Sequence, residues 1–328
     1  MRAFHFVIML MVGTLVGCSP KVMIDVGAAG SERNLVATAV LKDTNPGKDK
    51  VAIIDVRGML ADAHKPTLLG QGVNPVDSFV TRLELAERDP DVKAVILRIT
   101  SPGGTVTASD IMYREVRRFE EVTHKPVIAS LGEIAASGGY YLALSSDEII
   151  AEPTSITGSI GVIMPTINVS EGLERIGIRS RSVKSGANKD IGNPLEPMRE
   201  PQYAILQGMI DEYFARFKGL VIERRPGIKL EDIPMCTDGR VFSGANAKAL
   251  GLVDDTGGVR EAFAAAKQRA GIAGATLVKY ADEDYPARTV YTSTDAAAPS
   301  SGVTLRLDTG FAETAETGGF FYLWMPGF

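Results

Sequence analysis

An apolar strand that ends on a serine and is followed at once by two glycines leaves a chain few ways to continue. The segment Ala135-Ala136-Ser137-Gly138-Gly139-Tyr140-Tyr141 has this form. It follows the strand-like run Val127 to Leu131 through a short Gly-Glu linker, and the spacing predicts a helix starting at Gly138-Gly139-Tyr140. Glycines just after a serine let backbone N–H groups crowd close to whatever the hydroxyl touches. That is how a nucleophile is paired with a pocket that stabilises an anion. A serine before Gly-Gly is also an ordinary helix cap, so the heptapeptide alone does not decide.

The surrounding pattern alternates strand and helix. Val51 to Val56, Val92 to Ile99, Pro126 to Leu131, Glu148 to Ala151 and Arg179 to Val183 read as strands. Pro75 to Arg88, Ala108 to Val122, Val169 to Ile176, Pro201 to Arg224, Ser243 to Leu250 and Val259 to Ala270 read as helices. In the longest of these, Tyr203, Leu206, Met209, Ile210, Tyr213 and Phe217 form one apolar face. Short connections between alternating elements predict parallel βα units in an α/β fold. There is no internal repeat.

The N-terminus reads as a targeting signal. Arg2 supplies a positive charge, and the apolar run Phe4 to Val16 is short for a spanning helix. It ends in Leu15-Val16-Gly17-Cys18, which resembles a bacterial lipobox. Cleavage of residues 1–17 would leave Cys18 N-terminal and lipidated, holding the protein on a membrane outside the cytoplasm. Ser19, in some bacteria, favours the outer membrane. Residues 18–49 read as a tether and 50–272 as the folded body. Residues 273–328 read as a mostly flexible tail, whose last stretch, Phe320 to Phe328, is apolar. Such an end is expected to dock on its own protein, a partner or a membrane surface.

Several classes of partner are excluded. The net charge is −5 with no Lys/Arg block, which argues against a nucleic-acid partner. Three histidines and two cysteines are too few and too scattered for a zinc site, and no cofactor is expected. With Cys18 lipidated, Cys236 has no disulfide partner, and its turn-like setting reads as structural.

Serine needs a base to act as a nucleophile. His5 lies in the signal, His64 in a polar loop, and His124 before the strand that leads to Ser137, a strand length of roughly 20 Å away. A lysine base must be neutral, and burial can lower a lysine by the required ~3 units at a cost of about 4 kcal/mol. The candidates lie in Val183-Lys184-Ser185-Gly186-Ala187-Asn188-Lys189-Asp190. A second glycine turn, Thr100-Ser101-Pro102-Gly103-Gly104-Thr105, sits between a strand end and a helix and is a candidate source of another oxyanion donor.

Residues from roughly 50 to 270 resemble the S49 peptidases. Four blocks carry the resemblance in family order: Ser101 to Gly104, Ala136 to Tyr141, Thr157-Gly158-Ser159-Ile160-Gly161-Val162, and Lys184 to Asp190. The segments Asp238 to Gly244 and Gly251 to Asp254 match as well. The resemblance implies a Clp-protease/crotonase-like spiral of βα units with a helical C-terminal part. It also implies a Ser-Lys dyad: Ser137 as nucleophile and Lys189, rather than Lys184, as general base. Ser159 would orient the amine, and the Gly104 and Gly138 amides would form the oxyanion hole. Short members of the family are similar in forming homo-oligomeric rings that share active sites between protomers. The expected substrates are remnant signal peptides or other unfolded apolar peptides. Three departures stand out: Ala187-Asn188 precedes Lys189 where an aromatic is common, the helix Pro201 to Arg224 begins Met198-Arg199-Glu200-Pro201 rather than with a Thr-containing entry, and the tail has no family counterpart.

Other readings of the same fold remain. Crotonase-type acyl-CoA chemistry also uses paired glycine amides, but CoA is cytoplasmic and the secretory signal argues against it. A non-catalytic scaffold or partner-binding lipoprotein is the alternative.

Overall fold

The computed structural model describes residues 35–64, 72–294 and 319–324 in full, and the backbone alone of 22–25, 66–67, 70–71 and 304–307. The expected signal, 1–17, and Cys18 lie outside the described residues, as do Met325 to Phe328.

In chain order the first half runs β1 (Val22–Asp25), β2 (Leu35–Lys42), β3 (Lys50–Arg57), β4 (Pro66–Thr67), β5 (Gly70–Gln71), α1 (Pro75–Arg88), β6 (Val92–Ser101), β7 (Gly103–Thr105), α2 (Val106–Thr123), β8 (Val127–Ala136) and α3 (Gly138–Ala143). There follow β9 (Glu148–Ala151), β10 (Ile156–Gly158), α4 (Ser170–Arg175), α5 (Glu200–Arg224), α6 (Ile233–Cys236), β11 (Val241–Ser243) and α7 (Gly244–Ala249). The last elements are β12 (Asp255–Thr256), α8 (Val259–Ala270), β13 (Thr276–Asp282), β14 (Thr304–Leu307) and β15 (Phe321–Leu323).

The main sheet has nine strands, in the order β11-β10-β8-β6-β3-β13-β2, with β9 beside β8 and β12 beside β9. It is parallel except where β2 and β11 join. Its central strands are buried on both faces, as a helix-covered parallel sheet requires. Alternation along β3 divides the core: Ala52, Ile54 and Val56 pack with Phe79, Leu83, Met112 and Phe119 on one side. Val51 and Ile53 pack with Val259, Ala262 and Phe263 of α8 on the other. The molecule is thus a three-layer α/β structure, with a helical part at its C-terminal side.

The helix ends follow local chemistry. The Asn74 side chain accepts from Val76 N and Asp77 N at the start of α1, where Pro75 occupies the first turn and loses nothing by lacking an N–H. Gly271 closes α8 at φ 66°, where a side chain would be strained.

Four expectations need correction. The tether is shorter than expected, because Leu35–Lys42 is a sheet strand paired antiparallel with β13. The flexible tail begins later, because β13 lies inside the sheet between β3 and β2. Lys279 and Asp282 break the apolar pattern of β13 in the sequence, yet Lys279 is buried and donates to Asp55. Arg179 to Val183 forms no strand: it pairs with no other segment among the described residues, and Val183 is fully exposed. On α5 the buried side chains are Gln202, Leu206, Phe217 and Val221, whereas Tyr203 is exposed.

Candidate active site

β8 runs without a break to Ala136, and its last turn of chain is paired on both sides. Ala135 faces Ser101 of β6, and Ala136 faces Gly158 of β10. Ser137 then leaves the sheet at φ 52°, ψ −114°, a conformation that costs a residue with a side chain about 1–3 kcal/mol. The surrounding bonds hold it there. Its N–H donates to the Gly158 carbonyl at 2.8 Å, and its own carbonyl accepts from Tyr141 N at 2.8 Å. Ser137 is 1% exposed, at the entrance to α3.

Both glycines after it are sterically required. A Cβ on Gly138 would stand 2.4 Å from Ser109 Oγ and 3.1 Å from Gly104 N, and one on Gly139 would stand 2.8 Å from the Ser101 carbonyl. The second glycine turn is equally tight. Ser101 Oγ donates to the Gly58 carbonyl at 2.6 Å and accepts from Gly103 N at 3.1 Å. Gly103 sits at φ 106°, and a Cβ on Gly104 would lie 1.9 Å from the Leu60 carbonyl. The two turns therefore meet backbone to backbone, with the Gly138 amide only 2.7 Å from the point where a Gly103 Cβ would be.

Ser159 is the residue after Gly158, as Ser137 is the residue after Ala136, so the two serines leave neighbouring parallel strands at the same level. Ser159 also has positive φ, 50°, and its N–H donates to the Arg240 carbonyl at 2.7 Å. Among the described residues three non-glycine residues have positive φ, and two of them are these serines. The fold thus brings together Ser137, Gly138, Gly104 and Ser159.

Lys189 is not among them in a single chain. It lies exposed in the loop between α4 and α5, and no hydrogen bond joins it to Ser137 among the described residues. Its neighbour Asp190 is engaged elsewhere: it pairs with Lys184 and accepts from Gln202 Nε2 at 3.1 Å. The hydrogen bond from Lys184 holds the Asp190 carboxyl below its ordinary range. The start of α5 fastens this loop, with Arg199 donating to the Ala187 carbonyl. Cys236 is buried in the core, and His124 lies at the far end of β8.

Sequence reasoning missed the groups that support the site. Tyr140 OH donates to the Leu252 carbonyl at 2.7 Å, which ties the Gly251 to Asp254 block beneath α3. Tyr141 OH donates to Asp110 Oδ1 at 2.7 Å, and Arg216 Nη2 donates to the same oxygen at 2.6 Å, docking α5 on α2 and α3. The paired tyrosines were the available signal, but their partners are over thirty positions away in sequence.

β15 also lies at the site. It pairs antiparallel with β7, placing Tyr322 opposite Gly104. Residues 320–324 therefore dock on the chain's own body.

The model of peptidase family S49 matches residues 120–273. A provisionally named protease of Methanocaldococcus jannaschii is 34% identical over 220 residues, covering 66% of this chain and 70% of that protein. A provisionally named signal peptide peptidase SppA of Enterococcus faecium is 31% identical, covering 71% and 67%. The chloroplastic serine protease SPPA of Arabidopsis thaliana is 32% identical over 69% of this chain, which spans 33% of that protein. A solved structure of a membrane-bound stomatin-specific protease aligns with a TM-score of 0.41 at 18% identity, covering 64% of this chain and 81% of that one.

Proposed function

The chain belongs to peptidase family S49, and on that premise we propose that it is a membrane-tethered serine endopeptidase with a Ser137–Lys189 dyad. The observation that carries this is the backbone of Ser137, held at positive φ where two glycine turns converge. A strained serine at a strand-to-helix joint is over-determined by its surroundings, and such strain clusters at reactive positions.

In this mechanism Ser137 Oγ attacks the carbonyl carbon of an extended peptide, and Lys189 Nζ takes the hydroxyl proton. The oxyanion forms between the Gly104 and Gly138 amides. Lys189 returns the proton to the leaving amine, and water then releases the acyl-enzyme. Ser159 orients the lysine amine. Lys189 comes from a neighbouring protomer, since within one chain its loop is open to water. Burial at a subunit contact favours the uncharged amine.

An assembly of this kind is supported by the apolar side chains around the same loop. Ile167, Ile176, Ile178, Val183 and Leu195 are 58%, 71%, 53%, 101% and 43% exposed in the single chain, an unusual density on one segment. A homo-oligomeric ring would cover them. Lipidation of Cys18 would hold the ring at a membrane of the cell envelope, beside its substrates, remnant signal peptides and other unfolded apolar segments.

The test is labelling by a fluorophosphonate probe. Labelling should occur on Ser137 and be lost in both Ser137→Ala and Lys189→Ala. Undiminished labelling in the Ser137 variant would defeat the assignment of Ser137 as nucleophile, and absence of labelling in the parent would favour the scaffold reading of the same fold.

A further inference from the structure

A carboxylate beside a lysine keeps the amine charged, and a charged amine cannot take a proton from a hydroxyl. Asp190 follows Lys189 directly, and its side chain is only 12% exposed, so an ion pair between the two would hold Lys189 in the wrong form for a base. No such pair exists among the described residues. Lys184 Nζ donates to Asp190 Oδ2, and Gln202 Nε2 donates to Oδ1 at 3.1 Å, so both carboxylate oxygens are taken. The other carboxylate that touches this loop is taken too: Glu196 Oε1 accepts from the Ser182 hydroxyl at 2.8 Å and from Ser182 N.

The start of α5 fixes this arrangement. Gln202 is 2% exposed, and its Oε1 accepts from Arg199 N at 3.0 Å while its Nε2 also reaches the Ala187 carbonyl at 3.5 Å. Arg199 donates to the same carbonyl and to Asn188 Oδ1 at 3.4 Å. Within the loop, Lys189 N donates to the Gly186 carbonyl and Ile191 N to the Asn188 carbonyl, both at 3.2 Å. Asn188 and Asp190, on either side of Lys189, are thus both tied to α5, and the Lys189 side chain is not. Gln202 is neutral and orients the carboxylate without cancelling its charge. Arg199 spends its loop hydrogen bonds on neutral groups, so the charge that offsets Asp190 is that of Lys184.

We propose that Lys184 is a positioning residue for the Ser137–Lys189 dyad: by pairing with Asp190 it turns the adjacent carboxylate away from the Lys189 amine and cancels its charge. This rests on the serine-peptidase reading. Without Lys184, Asp190 keeps its neutral partner Gln202 but gains a free oxygen, and the nearest cation left for it is Lys189 itself. An opposite charge at such a distance raises an amine by about 1–3 units, and the loop then delivers a charged lysine to the hydroxyl.

The experiment measures the rate of fluorophosphonate labelling of the full chain between pH 6 and 10, which rises with the fraction of uncharged Lys189. In Lys184→Met the midpoint of that rise should move up by about one pH unit or more, so that labelling below the midpoint is roughly tenfold slower while the plateau at high pH matches the parent. Lys184→Arg keeps the ion pair and should keep the parent profile. Lys184→Met/Asp190→Asn should return the midpoint to the parent value or below it. A lowered plateau with an unmoved midpoint in Lys184→Met, or a double variant that stays shifted, would overturn the proposal, since packing alone explains either. Should Lys184→Met not fold, Asp190→Asn decides: it keeps an acceptor for Gln202, and its midpoint should lie at or below that of the parent, whereas a higher midpoint would overturn the proposal. Lys189→Ala keeps the two readings apart. Its loss of labelling beside an unmoved Lys184→Met midpoint would sink this proposal alone, and parental labelling by Lys189→Ala would sink the dyad and this proposal with it.

Discussion

Gly138→Ala separates the packing role of this glycine from its part in the oxyanion pocket. The added methyl would stand 2.4 Å from Ser109 Oγ, where ordinary contact begins at 3.4 Å, so the helix α2 hydroxyl must give by about an ångström. Overpacking of that kind costs about 1–3 kcal/mol, or roughly 2–10 °C in melting temperature for a domain of this size. The same methyl would lie 3.1 Å from Gly104 N and 3.0 Å from the Tyr322 carbonyl oxygen. It would displace any oxyanion from its donors, and losing one such donor costs about 10²–10³ in kcat. Ser109→Ala removes the offending hydroxyl, which donates only to the Thr105 carbonyl within its own helix. The double variant Gly138→Ala/Ser109→Ala should therefore recover its melting temperature without recovering peptide hydrolysis. Thermal unfolding and steady-state hydrolysis, measured on the same preparations, give both quantities. Recovery of activity together with stability would refute the assignment of Gly138 to the oxyanion.

Ser137→Gly should be more stable than Ser137→Ala by roughly 1–3 kcal/mol and unfold at a correspondingly higher temperature, since glycine occupies φ 52° without strain while both variants lack the hydroxyl; equal melting temperatures would show that Ser137 is not strained. Burial pushes the Glu120 carboxyl up to about 8, with like-charge repulsion from Asp147 adding to it against the pull of Arg117. Between the ordinary glutamate value of about 4.3 and that pH the folded chain keeps a proton the unfolded chain has lost, so stability falls as pH rises, by up to about 1.4 kcal/mol per unit. Glu120→Gln should flatten the decline in denaturant midpoint between pH 5 and 8, and a parallel decline in both proteins would show that Glu120 is ionised in the fold.

Those elements whose stabilising contacts are local or periodic were legible in the sequence. α1 and α8 form over the predicted residues because their caps directly adjoin them and their apolar faces lie within them. The Ser137 turn was legible because a strand, a serine and two glycines adjoin in sequence. What was not legible depends on distant partners. Lys279 reads as a solvated residue until Asp55, 224 positions away, is placed beside it. Arg179 to Val183 has the composition of a strand, but a strand needs a partner, and among the described residues this segment pairs with none. The apolar C-terminus declared that it would be covered, while its seat on β7 depends on a register no local pattern encodes. The Tyr141 network joins residues from three helices, so no spacing in the sequence shows it.

The central claim is that the Ser137 hydroxyl of one copy is served by the Lys189 amine of another. Mixing inactive Ser137→Ala protein with inactive Lys189→Ala protein, after dissociation and reassembly, tests this directly. Hybrid particles carry some interfaces with both groups intact, so peptide hydrolysis should return in part. Hybrids that assemble fully and hydrolyse nothing would contradict it.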